Sequence, residues 1–185
     1  MASTILVDKI DPQSGTALEI GSSGDTITVP SGATFNVAGT LQSGGAAVAN
    51  TPMWYAKSAA NQTGIATATA TKITYGTEVI DTDSAFATSR FTVPSGAAGK
   101  YYITGTITWL SGSWTSQQIL YIYKNGSNAY AEFRYKDATD MGMTVSAVLD
   151  LAVSDYIEIY CYQPSGSNRD TWNSPYSFYG YKLIG

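Results

Sequence analysis

Two pairs of carboxylates are spaced closely enough to do chemistry together: Asp81 with Asp83, and Asp137 with Asp140, the second pair near Glu132. Two carboxyls held across one cleft, one of them with a raised pKa, are what glycoside hydrolysis requires. Asp137 and Asp140 fall in a loop-like stretch, so a sugar-cleaving enzyme is the lesser alternative and a non-enzyme is expected. Composition closes most other catalytic routes. With no histidine and a single cysteine, the chain can build neither a Ser-His-Asp nor a Cys-His pair. It can form no His or multi-Cys zinc site and no internal disulfide. Cys161 is in phase with Ile157 and Ile159, which makes it a small buried hydrophobe on a strand. Gly96-Ala97-Ala98-Gly99-Lys100-Tyr101 is too short for a phosphate loop, and Tyr101 stands where a magnesium-holding Ser or Thr is needed. No run of Asp, Asn and Glu has calcium-loop spacing. No cofactor and no metal are expected.

Binding chemistry is better represented. The stretch Ser111 to Ser116 carries Trp114, and the stretch Gln163 to Tyr176 carries Asn168, Arg169, Asp170, Trp172 and Tyr176. A Trp among small polar residues, with Asn, Asp and Arg close by, can stack on a sugar ring and bond its hydroxyls. Loops on a rigid scaffold are where such sites sit. The plainer alternative is that Trp114 and Trp172 cap a core or a seam between subunits. Nucleic acid is not an expected partner: the net charge is −4 and the 10 basic residues are scattered singly, without the positive stripe that phosphate binding needs. No window approaches the roughly 18 apolar residues of a membrane span, so no membrane insertion is expected. Met1 to Asp8 lacks a basic region followed by an apolar run, which implies synthesis in a cytoplasm.

The elements that must position these residues are strands. Charged residues are 13% of the chain against 44% apolar, and there are 14 tyrosines; long exposed helices need more Glu, Lys and Arg. Tyr101, Ile103, Gly105, Ile107 and Trp109 share one face of a period-2 row, with Tyr102, Thr104, Thr106 and Thr108 on the other. Val145, Ala147, Leu149 and Leu151 form a second row. Lys124-Asn125-Gly126-Ser127 is a tight-hairpin signal, because Asn-Gly accepts positive φ. Strands of this kind between frequent turn signals indicate a β-sandwich over residues 53–185. Residues 1–50 differ. Leu18-Glu19-Ile20, Ile27-Thr28-Val29 and Phe35-Asn36-Val37 are short apolar–polar–apolar triads, eight or nine residues apart, each followed by a Gly- or Ser-containing corner. One such triad buries too little to offset an ordering entropy of roughly 1–2 kcal/mol per residue. Several copies wound together, or packing on a partner, would turn the apolar side chains inward. The hexapeptide Thr-Val-Pro-Ser-Gly-Ala occurs at 28–33 and again at 92–97. Both copies read as a strand end where Pro blocks the ladder and Ser-Gly turns the chain.

Residues 73–104 and 149–184 resemble the globular head of the first complement component, in the tumour necrosis factor-like jelly-roll superfamily. That family's pattern has an aromatic, an Asx six residues on and an aromatic five further; Tyr75, Asp81 and Phe86 match it, with Tyr for the usual Phe. It continues to Phe91 and Gly99-Lys100-Tyr101, with a shortened gap after Phe86 and a lengthened one across Ser95 to Ala98. Leu149 to Ile157 is similar to the family's leucine pair followed by Gly-Asp-x-Val, with Ser154 in place of Gly. Phe178 to Ile184 is similar to its last strand. The resemblance implies an all-β fold: a ten-stranded jelly-roll head that associates as a homotrimer, here preceded by a short β-rich trimeric stem. Tyr102, Tyr160, Tyr162, Tyr179 and Tyr181 lie opposite apolar faces and suit a subunit interface. The corners of residues 1–50 resemble segments of phage tail-fibre and virion proteins. Together these likenesses imply a virion surface protein, made in the host cytoplasm and bound to other virion proteins through residues 1–50. The implied role is a fibre or fibre tip touching a host glycan or outer-membrane protein, with capsid decoration as the alternative.

Overall fold

A computed structural model describes residues 10, 14–15, 18, 20–21, 23–43, 46–110, 117–135, 142–173 and 176–183; the side chains of 43, 46–47 and 128–135 are left aside. The chain divides into two compact units, Met1–Leu41 and Gln42–Gly185. The larger unit is all β. Its strands are β1 (Gln42–Ser43), β2 (Ala46–Ala47), β3 (Met53–Lys57), β4 (Thr71–Lys72), β5 (Thr77–Asp81), β6 (Phe86–Ala87) and β7 (Arg90–Thr92). There follow β8 (Gly99–Thr108), β9 (Gln118–Lys124), β10 (Asn128–Tyr135), β11 (Gly142–Leu151), β12 (Tyr156–Tyr162) and β13 (Ser177–Lys182). No helix occurs among the described residues. Apart from the small β1–β2 pair, the strands form two antiparallel sheets. One runs β11-β8-β13-β3-β5; the other runs β10-β9-β12-β7-β6, with β4 also paired to β12. This is the expected jelly-roll sandwich.

The core follows from alternation. Tyr101, Ile103, Ile107 and Trp109 point inward and are at most 1% exposed, facing Leu120, Ile122, Ile157 and Ile159 from the other sheet. Trp54 stacks on Phe91 with ring centroids 3.8 Å apart and planes 7° off parallel, joining the sheets through β3 and β7. Two glycines make room for this packing. A Cβ on Gly105 would lie 2.5 Å from the Ile159 side chain, and one on Gly180 would lie 2.4 Å from the Trp54 ring. In each case a strand gives up a side chain so that a large one opposite can lie flat on it.

Local signals operate as expected at the turns. Asn125 and Gly126 take φ of 56° and 75° within the three-residue turn between the ladder partners Lys124 and Asn128. Asn125 also pins the turn: its amide donates to Asp155 at 2.9 Å, and its oxygen accepts from the Tyr156 N–H at 3.0 Å. Ser154, which stands where the resemblance has Gly, takes φ of 69°, so a side chain occupies a left-handed position.

In the smaller unit the triads look different from their sequence pattern. Ile27, Val29, Phe35 and Val37 are exposed, and residues 25–30 and 33–37 lie in no ladder. The turns between them are present, with φ of 96° at Gly24 and 85° at Gly32. A strand needs a neighbour, and one copy of this segment does not supply it to itself.

Candidate recognition surface

The loop from Gln163 to Tyr176 is built on one buried amide. Gln163 is fully buried; its NH2 donates to the Ile65 and Ser167 carbonyls, each at 3.0 Å, and its oxygen accepts from the N–H and hydroxyl of Ser165. From there the loop is stitched to residues 62–65. Arg169 and Ile65 exchange backbone hydrogen bonds at 2.8 and 3.0 Å. The Gly64 N–H donates to Asp170 at 2.8 Å, and the Gln62 N–H donates to the buried Thr171 hydroxyl at 2.9 Å. The far side is tied to the end of β8, where the Leu110 N–H donates to the Asp170 carbonyl and the Trp172 N–H to that of Thr108.

This geometry sorts the residues expected to bind a ligand. Asn168 is exposed, and the Trp172 side chain is 49% exposed, although its backbone is fixed. Arg169 and Asp170 are half-buried and committed to the loop: Arg169 Nε donates to the Ser165 hydroxyl at 3.0 Å. Tyr176 requires correction, since it is a core residue at 1% exposure. Its ring meets Tyr75 edge-on at 5.6 Å and its hydroxyl lies 3.1 Å from that of Thr171, so it cannot reach a ligand from solvent. Trp114 lies outside the described residues. Among the described residues, the tryptophans that fill the core are Trp54 and Trp109.

Of the two carboxylate pairs, Asp81 and Asp83 are described, and Asp81 is taken up by backbone. Both Asp81 oxygens are engaged by backbone, accepting from the Ala85 and Phe86 N–H groups at 2.9 Å each. That is a structural use of the Asx which the resemblance singles out. Asp83 is exposed and accepts from the Thr82 hydroxyl. Asp137 and Asp140 lie outside the described residues. Among the described residues no group of three His, Cys, Asp or Glu side chains could hold a metal ion. Cys161 is fully buried, and burial pushes its thiol up to about 12.

The five tyrosines expected at a subunit interface fall on two opposite surfaces. Tyr102, Tyr179 and Tyr181 share the outer face of the β11-β8-β13-β3-β5 sheet, where Tyr102 lies 5.6 Å from Tyr181 and Tyr55 lies 6.1 Å from Tyr179. Met53, Tyr55 and Ile80 complete a shallow, largely apolar groove of 380 Å³ with Tyr179 and Tyr181. Ile80 and Val148 are exposed at 40% and 55%. Tyr160 and Tyr162 lie on the outer face of the other sheet, opposite the buried Ile159 and Cys161.

That second surface holds a cluster the sequence reading missed. Glu158 is 2% exposed, with Lys72 Nζ at 2.6 Å and Arg90 Nε at 2.9 Å. Burial pushes its carboxyl up, but the hydrogen bonds and charges of Lys72 and Arg90 outweigh this and hold it below the usual range. Arg90 also lies over the Tyr156 ring at 3.9 Å, and Tyr160 stacks on Tyr123 at 4.3 Å. The signal was available: a lone Glu between Tyr156 and Tyr160 on a strand face must find cations to be tolerated there.

No protein-family model matches the chain, and no curated protein matches it. Solved structures do. The chain is similar to the globular domain of zebrafish complement 1qA protein, at 18% identity over 71% of this chain and 97% of that one, with a TM-score of 0.51. It is also similar to the Eiger TNF of S. frugiperda, at 10% identity over 71% of this chain and 90% of that one, with a TM-score of 0.51. The larger unit therefore has the jelly-roll fold of complement-head and tumour necrosis factor-like domains.

Proposed function

We propose that the chain is a non-enzymatic, homotrimeric structural protein on the surface of a phage particle, with the jelly roll as its exposed head. The observation that carries the assembly is the outer face of β8, β13 and β3. Tyr179 and Tyr181 adjoin Met53, Tyr55 and Ile80 there, and the Tyr102 ring lies 5.6 Å from that of Tyr181, so large rings with few rotamers cover a sheet face whose other side is already a filled core. The likeness of this domain to complement-head and tumour necrosis factor folds supports the same reading. The particle location rests on the turn-punctuated triads of residues 1–50 and their resemblance to virion fibre segments. The head contacts the host through the loop end that presents Asn168 and Trp172. Capsid decoration would use the same trimer; the exposed Trp172 ring on an otherwise pinned loop favours host contact.

Mass measurement of the purified chain in solution tests the assembly. Three chains are expected, and Tyr102→Lys combined with Tyr179→Lys should give a folded species of lower mass. A native protein that runs as one chain at micromolar concentration would refute the trimer. Imaging particles with a label on the head tests the location, which fails if neither shell nor tail carries it.

A further inference from the structure

The smaller unit contains a groove of 500 Å³ lined by Leu18, Ile20, Ile27, Val29 and Phe35. All five are apolar and all are exposed; Phe35 is 68% exposed and Ile27 65%. Resting on the trimer reading above, we infer that this groove is covered by the same segment of sister copies of the chain, and not by a protein of another kind.

The sequence repeats itself at the place that decides this. Thr28 to Ala33 and Thr92 to Ala97 are the same six residues, and they fold into the same turn. The Ala33 N–H donates to the Pro30 carbonyl at 3.0 Å, and the Ala97 N–H donates to the Pro94 carbonyl at 3.2 Å. Gly32 and Gly96 take φ of 85° and 77°. What differs is the company each copy keeps. In the sandwich the Val93 N–H donates to the Asp155 carbonyl and the Val93 carbonyl accepts from the Ser154 N–H, both at 2.9 Å, and the side chain is 2% exposed. In the smaller unit Val29 is 45% exposed. The one backbone–backbone hydrogen bond within residues 26–37 is the turn's own. The second copy thus shows what the first lacks: a neighbouring strand for its backbone and an apolar layer for its Val.

Three considerations select a sister copy. The deficit recurs along the chain at Leu18, Ile27 and Phe35, so an occupant must carry a matching repeat, which an identical segment has in register by construction. The described residues that line the groove are all uncharged, so these side chains of copies brought together meet no like-charge repulsion. Apolar side chains and a groove on one segment fit a head-to-tail contact between copies, which closes into a ring under three-fold symmetry. Packing of this kind supplies backbone pairing and apolar cover in one step.

Hydrogen exchange on the isolated full-length protein, with its mass measured in the same sample, tests the inference. Trimer mass with amides of residues 26–37 exchanging at least about a hundredfold slower than coil supports it. Trimer mass with those amides at coil rates overturns it and leaves the head trimer standing; the groove would then await a different protein. A one-chain mass removes the trimer reading and this inference together. Ile27→Ser combined with Val29→Ser should abolish the protection in 26–37 while leaving that of β8 and β12 unchanged. Protection that survives this double substitution also overturns the inference.

Discussion

Residues 10–41 and the sandwich are written in the same alphabet of alternating apolar and Thr or Ser positions, yet one region buries its apolar side chains and the other displays them. The repeated hexapeptide isolates the cause. Six residues are enough to set a turn, because Pro fixes φ and Gly accepts the left-handed position. They do not set burial, which is a property of whatever lies beside them. In the sandwich the neighbour comes from the same chain, brought by the 153–155 corner. Within residues 26–37 no such neighbour is present, and the same turn is left with an exposed Val.

The contrast can be pressed by substitution. The largest effect is expected from Trp54→Ala, which removes the ring joining the sheets at Phe91 and should cost about 3–5 kcal/mol of sandwich stability in denaturant unfolding. A loss below 1 kcal/mol would mean that the sheets do not depend on this stack. Next comes the matched pair within the hexapeptide. Val93→Ala should lower sandwich stability by about 1–3 kcal/mol, whereas Val29→Ala should change it by less than about 0.5 kcal/mol. Equal effects would show that the two copies are not in different environments. The smallest is Ser154→Gly, which relieves a side chain at φ of 69° and should raise the melting midpoint by the equivalent of about 0.5–1 kcal/mol. A decrease would show that the Ser side chain is needed there.

Much of the sandwich was legible because its signals are local. The Tyr101 to Trp109 row, the Asn125-Gly126 turn and the Asp81 cap each specify geometry within a few residues. The candidate surface was only partly legible. Asn168 and Trp172 can be placed at a loop end from composition, but whether Tyr176 faces solvent depends on Tyr75, which lies a hundred residues away in the chain. The tyrosines gave the same difficulty. Alternation says that Tyr102, Tyr160, Tyr162, Tyr179 and Tyr181 point away from the core, and it is silent on which sheet each belongs to. Only the strand order separates them into two opposite faces. Gln163 and Glu158 are polar residues whose burial is decided by partners remote in sequence, so periodicity treats them as surface.

The position of β13 bears on how the molecule is made. It is last of the strands in chain order and sits between β8 and β3 in its sheet. During synthesis, β3 and β8 emerge long before the strand that joins them, and no N-terminal fragment can hold a finished copy of that sheet. Residues 10–41 leave the ribosome earlier still. The smaller unit is thus complete in sequence before the sheet that β13 closes can form.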